Sequence, residues 1–170
     1  MGWEAINNTA SRRANLEALN QGTTQLNQLN TTLTTAVAQL AKTRGILNNL
    51  AKTPGSVNVQ LIRQFDLVDR AFQAMKKDVE LGVEMADEFN RDYQLPRNQR
   101  PGQQQLSGSS MASAVKRAAY SATTDLRWAK QMTARDLPTA LNNLTRNSPL
   151  LSVDDKKVLK ALAATLAPPN

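Results

Sequence analysis

The sequence predicts an all-α fold built on a long antiparallel helical hairpin, and three observations carry that expectation. Five leucines, Leu19, Leu26, Leu33, Leu40 and Leu47, recur every seven residues. A second stretch, Leu61, Phe65, Val68, Phe72, Met75, Val79, Gly82, Ala86, Phe89 and Tyr93, keeps a 4-3-4-3 spacing without a miss. Between the two lies one helix-breaking segment, Lys52-Thr53-Pro54-Gly55-Ser56. Seven-residue and 4-3 repeats place one stripe on one side of a helix, and the strict seven-residue form stays on a partner only when the helices supercoil left-handed.

The first helix is expected over about 11–51, with Leu16, Leu29, Val37 and Leu50 three residues to either side of the heptad leucines. Its flanking positions, Gly22, Thr23, Asn30, Thr43 and Arg44, are poor for a zipper, and no charge lies between Glu17 and Lys42. The charge code that pairs freestanding coiled coils is therefore missing. Only Arg12 and Arg13 precede the repeat, which argues against a zipper-type transcription factor. Two readings of the Thr-, Asn- and Gln-rich surface stay open: burial against other protein, or a plain amphipathic helix in a small bundle.

Pro54 and Gly55 stop this helix, and Ser56 is the expected cap of the next, over about 57–94. Each helix would be roughly 55–60 Å long at 1.5 Å per residue. A short loop between matched helices implies antiparallel packing, and one hairpin leaves apolar stripe over for further helices or other subunits. Phe65, Phe72 and Phe89 all lie on the stripe and are read as core.

Residues 95–110, rich in Pro, Gly, Gln and Ser, have the composition of a linker. The expected division is thus a hairpin over 1–94, a linker over 95–110 and a basic helical segment over 111–170. A third helix over about 111–135 carries Met111, Val115, Ala118, Ala122, Leu126 and Ala129 within an arc of roughly 80°. Two short helices follow. One holds Leu137, Leu141 and Leu144; the other is capped by Ser152, with Asp155 three residues on, and buries Val158, Leu159, Leu162 and Leu166.

Composition narrows the chemistry. The 170 residues include no Cys and no His, which removes thiolate chemistry, imidazole catalysis and the commonest metal ligand. Asp87-Glu88 and Asp154-Asp155 are adjacent on helices, so each pair diverges by about 100° and makes no acid–base dyad. No phosphate loop, nucleophile elbow or dinucleotide fingerprint occurs. The expectation is a protein that is not an enzyme and takes no cofactor, metal or small-molecule substrate.

The net charge of +7 is uneven: residues 1–95 hold ten basic and ten acidic side chains, whereas 96–170 hold eleven and four. Lys116, Arg117, Tyr120, Arg127, Trp128, Lys130 and Arg135 fall on an arc of roughly 160° opposite the third helix's apolar stripe. Arg97 and Arg100 add to them from the linker. Such residues suit DNA or an anionic membrane surface. They equally describe a solvated basic face with two half-buried aromatics.

The stretch 16–93 resembles TrbJ-type proteins, minor pilus components of conjugative type IV secretion systems. The Leu/Gln/Asn/Thr-rich first helix, its break at Pro54 and a second helix closing on Phe89-x-x-x-Tyr93 carry the resemblance. It covers less than half of the chain and implies a secreted assembly factor or adhesin at the periplasm or cell surface. In general character the chain also looks like the helical internal or ejection proteins of tailed bacteriophage virions. The start, Met-Gly-Trp-Glu-Ala-Ile-Asn-Asn, lacks a signal peptide's layout, so the expected location is a virion assembled in the bacterial cytoplasm. Expected partners are other protein subunits, in homo-oligomeric or mixed assembly. A nonspecific DNA-binding protein is the third reading.

Overall fold

Among the described residues the computed structural model has five α-helices: α1 (Trp3–Ala51), α2 (Val59–Tyr93), α3 (Gly108–Trp128), α4 (Leu137–Asn147) and α5 (Val153–Leu166). The structure describes residues 3–95, 99 and 107–168, with backbone alone over 3–9. No strand occurs among the described residues, so the fold is all-α as expected. Helix α1 begins eight residues earlier than the pattern suggests. Neither Pro nor Gly lies between Trp3 and Ser11, so nothing ends the helix there.

The five heptad leucines of α1 are at most 1% exposed. Three residues after each comes a second inward position: Gly22, Leu29, Ala36, Thr43 and Leu50, all buried except the half-buried Leu29. Gly22 and Thr43, poor as zipper flanks, are thus seam positions themselves. At Gly22 the small size is what the seam requires, because α3 comes close to it there. On α2 the 4-3 stripe is buried as the spacing predicts, apart from the half-buried Met75 and Gly82.

Gly55, at φ 77°, turns the chain after α1 where a side chain would be strained. The cap of α2 is Asn58, not Ser56: Asn58 Oδ1 accepts from Gln60 N at 2.8 Å. A cap must directly precede the first helical residue, and Ser56 is two positions too early. Ser152 does cap α5, its Oγ accepting from Asp155 N at 3.0 Å.

Contacts group the chain into two compact units that do not follow the sequential order 1–94, 95–110, 111–170. The first unit comprises residues 1–30 and 77–123. Its core joins Leu19 and Leu26 of α1, Ala86, Phe89 and Tyr93 of α2, and Met111, Ala112, Val115 and Ala119 of α3. The stripe on α3 is therefore turned toward Ala112 and Ala119, because α3 faces two helices at once; Ala118 and Ala122 are half-buried. Glycines set the spacing. A Cβ on Gly22 would lie 2.7 Å from Val115 Cγ1, and one on Gly82 would lie 3.2 Å from Leu26 Cδ2. Polar ties fix the antiparallel register of α1 and α2: Asn90 Nδ2 donates to Thr23 Oγ1 at 2.9 Å, and Tyr93 OH donates to Arg12 O at 3.1 Å.

The second unit comprises residues 31–76 and 124–170. Its buried side chains include Leu33, Leu40 and Leu47 of α1, Phe65, Val68 and Phe72 of α2, Leu141 of α4, and Leu159, Leu162 and Leu166 of α5. Helices α4 and α5 pack on each other. Between α1 and α2, Arg44 donates to Asp66 at 3.0 Å and to Asp69 at 2.7 Å.

The expected third helix to residue 135 is interrupted. After Trp128 the chain makes a π-helical turn, Ala129–Thr133, and Ala134 N donates to Ala129 O, five residues back, at 2.8 Å. In a regular α-helix Ala134 would point about 140° away from Ala129. The wider turn brings the two closer to one side, and they are 6% and 0% exposed.

Candidate polyanion-binding surface

Because Met111, Val115 and Ala119 turn inward, residues 113, 116, 117 and 120 of α3 turn outward. Ser113, Lys116, Arg117 and Tyr120 line a shallow depression on the first unit. Tyr120 is 73% exposed. The remaining candidates belong to the second unit. Arg127, Arg135 and Trp128 (62% exposed) face solvent, while Lys130 is half-buried within the π-helical turn. Met132, in the same turn, is 54% exposed. Arg97 and Arg100 lie outside the described residues.

Two expectations change. The seven residues do not share one helical arc, because the π-helical turn shifts Lys130 and Arg135 lies beyond it. The aromatics are not half-buried: both rings are open to solvent, a state in which large aromatic side chains forgo most of their burial energy. None of Lys116, Arg117, Arg127, Lys130 and Arg135 makes an ion pair with a described residue.

Charge sorts by unit more sharply than by sequence position. The first unit has eight basic and eight acidic residues, and the second has thirteen and six, which is the whole excess of +7. Among those cations, Arg44 is engaged by two carboxylates, Asp66 and Asp69, and lies 5.0 Å over the Phe65 ring. The hydrogen bond to Asp69 does most to raise the Arg44 pKa above its ordinary value, with partial burial opposing it. Sequence reasoning missed this cluster, and the available signal was Asp66 and Asp69 flanking the inward Val68.

The uncharged stretch of α1 is a second surface feature. Asn20, Gln21, Thr24, Gln25 and Gln28 line a depression on the first unit, and Thr31, Thr32, Thr34 and Thr35 are exposed on the second. Among the described residues no three His, Cys, Asp or Glu side chains gather as a metal site. No helix there is long and apolar enough to cross a membrane. Asp154 and Asp155 sit in the first turn of α5, where negative charge favours the helix dipole. No family model matches the chain, nor does any curated protein or solved structure.

Proposed function

We propose that the chain is a non-enzymatic helical subunit of a large assembly, and that its second unit faces DNA. The segregation of charge is the observation that carries this reading: one unit is neutral and the other holds the entire +7. A polyanion releases condensed counterions when exposed Lys and Arg replace them, so such a unit gains affinity without base contacts. An internal, portal-proximal or ejection-type component of a bacteriophage virion is the setting that suits both units, with protein neighbours for the neutral one and packed DNA for the basic one. A second reading, a TrbJ-like minor pilus component, draws on the charge-free exposed surface of α1, which suits burial against protein and offers nothing to phosphate.

The test is mass spectrometry of intact particles, together with light scattering and duplex-DNA retention of the purified chain at low and moderate salt. The proposal expects particle association and retention that falls steeply with salt. A monodisperse monomer that enters no particle sinks the assembly role, and salt-independent retention sinks the DNA-facing role.

A further inference from the structure

The second unit carries an exposed aromatic that neither its core nor simple charge neutralisation explains. Trp128 is 62% exposed at the end of α3, and Met132, 54% exposed, follows four residues later in the π-helical turn. Four residues are close to one turn, so the two side chains emerge on the same side of the chain. Ala129 beside them is 6% exposed and anchors the turn to the interior. Arg127 directly precedes Trp128 and is exposed, Arg135 is exposed just beyond the turn, and no acidic residue falls between 127 and 135. π-Helical turns frequently mark functional positions.

We propose that this turn binds single-stranded nucleic acid, an unpaired base stacking on the Trp128 indole beside Met132 while Arg127 and Arg135 meet the flanking phosphates. The proposal rests on the DNA-facing reading of the second unit and goes beyond it, because charge alone would bind a duplex equally well. An aromatic platform among cations discriminates by strandedness: bases in a duplex are already stacked, and those of a single strand are free to stack on the protein. A lipid surface is the weaker fit, since Trp128 and Met132 supply little apolar area beside the broad apolar face of an interfacial helix.

The full-length Trp3→Phe chain leaves Trp128 as its sole tryptophan. Titration with a 15-mer of deoxythymidylate at low salt should quench its emission, and high salt should restore it. Trp128→Ala should weaken binding of the 15-mer about tenfold, the scale of one stacked base, with Trp128→Phe intermediate. Affinity for a duplex should change less than twofold. Equal losses for both strands, or no loss for the 15-mer, overturn the proposal. So does a blue shift with phosphatidylglycerol vesicles in the absence of quenching by the 15-mer. Salt-sensitive duplex binding that survives while the 15-mer leaves Trp128 unquenched removes this site and spares the DNA-facing reading; loss of both removes both.

Discussion

Arg44 of α1 donates to Asp69 of α2 at 2.7 Å, and Asp69 is only 7% exposed, so a carboxylate inside the second unit depends on one guanidinium and on Gln73 Nε2 at 3.1 Å. Removing one partner of a buried pair leaves the other's charge poorly compensated. Arg44→Ala should therefore cost about 1–2 kcal/mol, reduced from the fully buried case because the Arg44 side chain is 43% exposed. Asp66→Ala, at a side chain 41% exposed, should cost under about 1 kcal/mol. Denaturant unfolding of the two variants checks the order.

The Arg44 pKa is raised above the ordinary arginine range, so the stability linked to its charge is complete below that range and is lost only as pH rises beyond it. Between about pH 6 and 9 the cost of Arg44→Ala should stay constant within about 0.5 kcal/mol. A cost that changed steadily across that window would contradict the assignment.

Thr43 is fully buried, and its Oγ1 makes no hydrogen bond with any described residue. A buried hydroxyl without a partner costs about 1–3 kcal/mol. Thr43→Val keeps the shape and deletes that penalty, so it should raise stability by about 1 kcal/mol. An unchanged or lowered unfolding midpoint would mean that the hydroxyl is satisfied in solution.

Two glycines of the same helix should respond with opposite signs. A Cβ added at Gly45 would meet open space, and Gly45→Ala should stabilise by about 0.5–1 kcal/mol through helix propensity. At Gly22 a side chain meets Val115 at 2.7 Å, with its backbone carbonyl carbon at 3.4 Å. Gly22→Val should destabilise by about 1–3 kcal/mol despite the better propensity. Thermal melts of the two variants in parallel would show it.

Charge reversal should also sort by unit. Arg127→Glu with Arg135→Glu should lower duplex affinity at least about tenfold at low salt, and should make the dependence on salt shallower. Lys116→Glu with Arg117→Glu, on the neutral unit, should have the smaller effect. Equal losses would spread the DNA contact over both units.

Much of this fold was legible because periodicity is a local property. The heptad leucines, the α2 stripe from Leu61 to Tyr93 and the Ser152 cap each follow from neighbours within a few turns. What was hidden depends on partners distant in sequence. Gly22 reads as a defect until Val115 is placed against it, and Arg44 reads as a poor flank until Asp69 faces it. The π-helical turn escaped for the same reason, since only a core that draws in both Ala129 and Ala134 requires it. Of the candidate surface, sequence reasoning found the residues but not their grouping, because it placed all seven on one regular helix.

Each compact unit combines an early stretch of chain with a late one. A ribosome therefore releases α1 and α2 before the residues that complete their shared cores. The first unit is not complete until Ala119 has emerged, nor the second until Leu166 has. Synthesis halted at residue 95 would leave a pair of helices lacking the α3 cover of Met111 and Val115. A chain shortened before Leu166 should thus leave the second unit incomplete and open to chaperones and proteases.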